Sequence, residues 1–102
     1  MSVPVAGSIP PRIVIHDTRI ARSRAFGEAA AAHGFRRVDV AGQEALLWRE
    51  ARAGFGLHPG GLVIALTRWS DRVSLGGLFG ERGLRFVEER SLPGGLVHWA
   101  MA

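Results

Sequence analysis

Two polar segments of the sequence carry residue types that could bind or transform a small molecule. The first, His16-Asp17-Thr18-Arg19, follows a β-branched run, and the second, Thr67-Arg68-Trp69-Ser70-Asp71-Arg72, follows the apolar run Gly61–Thr67. If both runs are neighbouring parallel strands, the two segments meet at the sheet edge where open α/β sheets bind ligands. Two helix N-termini would point at the same place and favour an anion.

The chemistry of this predicted site follows from its side chains. An imidazole at the end of a strand suits a general base, and a neighbouring carboxylate can assist it. The catalytic candidates are therefore His16, Asp17 and Asp71. An arginine would hold an anionic group, while hydroxyls and an indole would complete the lining. The ligand-binding candidates are Thr18, Arg19, Thr67, Arg68, Trp69 and Ser70.

The same residue types have structural uses, and we expect those uses to account for more of the cluster than ligand binding does. Aspartate, serine and threonine are the usual side chains at the N-cap of a helix, so Asp17 or Thr18 can cap one helix. Ser70 or Asp71 can cap another, and Trp69 can cover the top of the core.

Motifs for phosphate, metal or nucleophilic chemistry are missing from the sequence. There is no GxxxxGK(S/T) loop, no GxGxxG after the first predicted strand and no GxSxG turn. Cysteine is absent, and none of the four histidines is at a metal-ligand spacing from another. We therefore expect neither a metal nor a cofactor.

A stripe of glycines marks one face of the third predicted helix. Val73, Gly76, Gly77 and Gly80 share that face because they fall at i, i+3, i+4 and i+7 of the helix. Glycine inside a helix costs about 1 kcal/mol relative to alanine, so three on one face predict a close approach by another backbone. The close neighbour is a helix of the same domain, a second protein chain or a ligand.

The last predicted strand carries large apolar residues and, between them, only His98 as a polar group. Edge strands usually carry charges that prevent association. An edge strand of this composition therefore predicts a contact with another chain, centred on Trp99. Together with the glycine stripe, the predicted interface residues are Gly76, Gly77, Gly80 and Trp99.

Composition narrows the partner classes. The chain has 102 residues and a net charge of only +4, and its thirteen basic residues, all arginines, are interleaved with nine acids. A nucleic-acid surface needs those charges on one face, so nucleic acid is an unlikely partner. No apolar run is long enough for a membrane span, and residues 1–10 do not read as a signal peptide. We expect a cytoplasmic protein.

The elements that must position these residues alternate along the chain. Residues 1–11 predict an extended arm, and residues 12–102 a single α/β domain of order βαβαβαββ. The predicted fold is a small three-layer domain with a mostly parallel five-stranded sheet and a C-terminal β-hairpin. Its central parallel strands contain Ile13–Ile15 and Leu62–Leu66. Three helices precede strands two, three and four; the second covers Gln43–Ala53, and Gly34 and Gly83 end the other two with positive φ.

Two function classes fit these features. The first is a small non-catalytic α/β module that acts through protein–protein contacts, as a homo-oligomer or as an accessory subunit of a larger complex. The second is a small enzyme or ligand-binding domain that handles a small anionic molecule at the carboxyl ends of strands 1 and 3. The missing catalytic motifs, the glycine face and the uncharged last strand favour the first class.

Overall fold

A computed structural model describes residues 11–42 and 60–102 of the chain. In these ranges the elements are β1 (Arg12–His16), α1 (Ala21–Ala31), β2 (Arg36–Asp39), β3 (Leu62–Arg68), α2 (Trp69–Glu81), β4 (Phe86–Leu92) and β5 (Leu96–Met101). The predicted helix Gln43–Ala53 and residues 1–10 of the predicted arm lie outside the described residues. The mixed α/β class is confirmed, and the full βαβαβαββ order stays a prediction.

The strands form one five-stranded sheet in the order β2-β1-β3-β5-β4. As predicted, Ile13–Ile15 and Leu62–Leu66 lie in adjacent, interior and parallel strands. The prediction of a mostly parallel sheet is wrong, because β5 is antiparallel to both β3 and β4. The C-terminal hairpin is present, but its second strand inserts between β3 and β4. The last strand is therefore internal, and β4 lies at the edge of the sheet.

The two helices cover opposite faces of this sheet, since successive residues of a strand point to opposite sides. Ile15 belongs to the core cluster beneath α2, whereas the next residue, His16, lies against Gly27 of α1. The core is centred on the α2 face, where Phe79 and Trp99 are fully buried. Its buried members are Ile13, Ile15, Val38, Val63, Ala65, Leu75, Phe79, Leu84, Val97, Trp99 and Met101.

The helix ends agree with the glycine prediction and disagree with the capping prediction. Gly34 and Gly83 both have φ of +90°, just beyond α1 and α2, which glycine adopts without a side-chain clash. Ile20 and Arg68 occupy the N-cap positions, and neither gives a side-chain cap. Asp17 instead accepts a hydrogen bond from the Arg19 backbone N–H at 3.0 Å, and the Asp71 carboxylate accepts one from the backbone of Arg68. Among the described residues, no helix is long and apolar enough to cross a membrane.

Candidate functional site

The carboxyl ends of β1, β2 and β3 meet at one edge of the sheet because these strands are parallel. Asp17, directly after β1, is fully buried there. Arg19 donates from Nε to Oδ1 at 3.0 Å and from its terminal nitrogen to Oδ2 at 2.9 Å. This fork of hydrogen bonds lowers the pKa of Asp17, so its charge is retained in the fold.

Asp39, at the end of β2, belongs to the same edge and was missing from the sequence prediction. Its carboxylate accepts a hydrogen bond from the Thr18 hydroxyl at 2.6 Å and from the backbone N–H groups of Thr18 and Ala41. Burial acts to raise the pKa of Asp39, but these hydrogen bonds outweigh it and the pKa is lowered. Its position at the end of a strand beside β1 was the signal that could have identified it.

Ser23 of α1 is a second residue that the sequence prediction missed. Its buried hydroxyl accepts a hydrogen bond from the Asp17 backbone N–H at 2.7 Å and donates to the Leu66 carbonyl. One hydroxyl therefore joins the loop after β1, the first helix and the third strand. This contact fixes the backbone that carries Asp17 and Arg19.

Thr67, at the end of β3, is buried and uses its hydroxyl for hydrogen bonds inside the domain. Its hydroxyl accepts a hydrogen bond from the indole N–H of Trp99 at 3.0 Å and donates to the Arg68 carbonyl. Trp99 is fully buried and packs against the rings of Phe79 and Phe86. Trp99 is thus buried inside the domain, because the helix that carries Phe79 and the strand that carries Phe86 cover its ring.

His16 is placed away from the exposed part of this edge. The side chain points to the α1 face, is 3% exposed, and its ring lies against Gly27. Nδ1 has no hydrogen-bond partner among residues 11–42 and 60–102. The ring is therefore buried between β1 and α1, and the site carboxylates nearest to it along the sheet lie at the ends of β1 and β2. The general-base role of His16 stays a prediction.

Asp71 lies in the first turn of α2. Of the two predicted catalytic carboxylates, it is the one whose pKa is raised. Burial is the largest cause of the raised pKa of Asp71, and the negative charge of Asp17 raises this pKa further. The positive charges of Arg19 and Arg68 offset part of this effect. Arg68 and Ser70 are exposed at the same edge. In the described part of the chain, no three acidic or histidine side chains are arranged to hold a metal ion.

A second feature of the surface is a cluster of exposed apolar groups between α2 and β4. Trp69 is 51% exposed and Phe86 is 38% exposed, and the guanidinium of Arg72 lies between their rings. Its central carbon is 4.7 Å from the Trp69 ring centre and 4.0 Å from that of Phe86. Nε of Arg72 donates to Glu89 of β4 at 2.7 Å. With Val73, one turn from Trp69 and also exposed, these residues are called the Arg72 patch.

The glycine stripe of α2 lies beside this patch. Packing within the domain accounts for only one of its three glycines. A methyl group at Gly76 would meet the Phe86 ring, so the close neighbour at this position is a side chain of the same domain. Gly77 and Gly80 face open space, with nothing within 4 Å of an added methyl group. The predicted interface therefore divides into a buried part, Gly76 and Trp99, and an exposed part.

Comparison with protein families, with characterised proteins and with solved structures finds no match for this chain. The functional assignment therefore depends on the geometry of its own residues.

Proposed function

We propose that this protein is a small non-catalytic α/β module that acts through protein–protein contacts, with the Arg72 patch and the adjoining edge strand β4 as its contact surface. The observation that carries the proposal is the Arg72 guanidinium held between two exposed aromatic rings. Tryptophan and arginine dominate the binding energy of interfaces, and arginine stacked on aromatic rings is already ordered for binding. Ordering these side chains before contact reduces the entropy lost on association.

The edge strand supports the same proposal. Within the described residues no strand pairs with the outer side of β4, and each residue from Phe86 to Ser91 is exposed. An edge strand presents unpaired backbone N–H and C=O groups to which a partner strand can bind. The Arg72 patch is attached to this strand through Glu89, so side-chain and backbone contacts would belong to one surface.

The polar edge at the ends of β1, β2 and β3 is a weaker basis for function because most of its groups are already paired. Asp17 is bound by Arg19, Asp39 by Thr18, and Thr67 by Trp99. Side chains held in this way stabilise loops and the core, and they have little capacity left for a ligand.

Replacing Trp69 by glutamate tests the proposed contact surface. Trp69→Glu places a charge in the centre of the patch, and we expect it to weaken self-association or binding of a purified partner by about tenfold or more. Sedimentation velocity over a concentration series measures the effect. Ala21→Glu is the matched control, since it adds the same charge at an exposed position on α1. Equal association of both variants and the wild type would contradict the proposal.

A second candidate function, handling a small anionic molecule at the strand ends, is favoured by the position of Asp71. A half-buried carboxylate beside Asp17 opposes folding when ionised, and such groups are typical of functional sites. The exposed Arg68 and Arg19 lie close enough to act on its charge. Here Asp71 would act as the proton-transferring group, and Arg68 would hold the anion.

Replacing Asp71 tests the observation behind this candidate. Because its pKa is raised in the fold, the folded state binds the proton more tightly, and the ionised form lowers stability above that pKa. We expect Asp71→Asn to raise the free energy of unfolding at pH 7. The difference should shrink as the pH falls, and vanish below the ordinary aspartate pKa of about 3.9. Urea unfolding at several pH values measures it. A variant less stable than the wild type at pH 7 would remove the candidate's support.

A further inference from the structure

We propose that the partner is a second copy of this chain, joined by antiparallel pairing of the two β4 strands about a twofold axis at Glu89. This inference rests on the proposed function and adds the identity of the partner and the register of the contact. It would join two five-stranded sheets into one continuous sheet of ten described strands.

The pairing with β5 shows which residues of β4 share a face. Glu88 lies opposite Ala100 and Arg90 opposite His98, both on the α1 face of the sheet. Glu89 lies opposite Trp99, on the α2 face, where it binds Arg72. A bulge between Phe86 and Glu88 interrupts the ladder, so the regular part of the strand begins at Glu88.

Twofold symmetry leaves only a few registers for two identical antiparallel strands. Residues directly opposite each other in an antiparallel ladder point to the same face, so the axis must pass through a residue and not between two. An axis at Glu88 places two Glu88 side chains opposite each other, and an axis at Arg90 does the same with two arginines. Only the axis at Glu89 places Glu88 opposite Arg90 of the second copy, and it does so twice.

The remaining charge at the axis is already compensated. Two Glu89 side chains would face each other there, but each is bound by Arg72 of its own chain. Pairing at this axis would therefore bring two Arg72–Glu89 pairs together on the α2 face, with the exposed Trp69 and Phe86 rings beside them. The exposed patch and the strand register thus select the same contact.

Charges on an edge strand normally prevent association, and here they act selectively. Like charges directly opposite destabilise a strand pair, whereas opposite charges stabilise it. The Glu88-Glu89-Arg90 sequence opposes pairing about Glu88 or Arg90 and permits the register centred on Glu89. The other edge of the described sheet, β2, has four residues and begins with two adjacent arginines, which makes it a poorer surface for self-pairing.

Complementary charge variants test the register. A chain with Glu88→Arg would place arginine opposite arginine in its own dimer, and a chain with Arg90→Glu would place glutamate opposite glutamate. We expect each alone to dimerise about tenfold more weakly than the wild type. Mixed together they restore both opposite-charge pairs, so the mixture should form heterodimers with an affinity within about threefold of the wild type. Sedimentation of the single and mixed samples measures this.

A second measurement uses the absence of cysteine from the chain. Under mild oxidation, a Glu88→Cys chain mixed with an Arg90→Cys chain should form an interchain disulfide, whereas neither chain alone should do so.

The outcomes separate this inference from the proposed function. If the wild type associates and Trp69→Glu weakens it, but mixing restores nothing, the register is overturned and the contact surface stands. If the wild type stays monomeric at high micromolar concentration, pairing with a second copy is overturned. The proposed function then stands only if Trp69→Glu weakens binding of a different, purified partner.

Discussion

Gly27→Ala should destabilise the fold by about 2 kcal/mol, even though alanine is the better helix former by about 1 kcal/mol. Gly27 is buried in α1 and faces the ring of His16 at the end of β1. An added methyl group would fall 2.5 Å from Cγ of His16 and 2.8 Å from Cε1. The ring is itself buried, so the helix must move away from the sheet. Thermal unfolding should show a decrease in Tm of about 10 °C.

The same substitution at Gly77 is the matched control. Gly77 lies inside α2 and faces open space, so Gly77→Ala should raise the free energy of unfolding by roughly 0.5–1 kcal/mol. Combining Gly27→Ala with His16→Ala should recover part of the loss, because the clash is with this ring. A Gly27→Ala protein as stable as Gly77→Ala would show that α1 does not lie this close to β1.

The strands that position the site could be predicted because their composition is local information. The apolar runs containing Ile13–Ile15 and Leu62–Leu66 read as buried parallel strands, and they are adjacent and parallel. Gly34 and Gly83 were identified as helix ends because few other residues adopt the backbone conformation required there. In each case a short segment contains enough information to specify its own structure.

The position of the last strand could not be predicted, because it depends on long-range pairing. A hairpin after β4 can place its second strand outside β4 or between β4 and β3, and no local pattern in Leu96–Met101 separates these arrangements. The internal position of β5 follows from its pairing with both β3 and β4. The nearly continuous apolar composition of this strand, which predicts an edge strand that associates with another chain, is equally typical of an internal strand.

In the candidate site, too, the residues that are neighbours in the sequence could be predicted, and their partners from other elements could not. The sequence identified Asp17, Thr18 and Arg19 as a polar group at a strand end, and the structure places them together. Their partners Asp39 and Ser23 come from other elements, and their roles depend on the sheet order and on the height of α1 above it. The Arg72 patch was missed because Phe86 and Glu89 lie 14 or more residues from Arg72 in the sequence. Only the folded sheet brings them together.

Trp99→Glu should unfold the domain. The indole is fully buried between Phe79 and Phe86, and its N–H donates to Thr67. Removing a buried tryptophan side chain costs about 3–5 kcal/mol, and an uncompensated buried carboxylate adds several more. The sum exceeds the lower part of the range of about 5–15 kcal/mol that holds typical domains folded. We expect loss of the near-ultraviolet circular dichroism signal and of cooperative urea unfolding.

Trp69→Glu is the matched control for Trp99→Glu. Trp69 is 51% exposed at the start of α2, so Trp69→Glu should change the free energy of unfolding by about 1 kcal/mol or less. A glutamate there also lies in the first turn of a helix, where a negative charge is favourable. The two variants should therefore separate the two roles of tryptophan, Trp99 maintaining the core and Trp69 the contact surface. If Trp99→Glu instead folds as stably as Trp69→Glu and only weakens association, then Trp99 lies in an interface and β5 is not an internal strand.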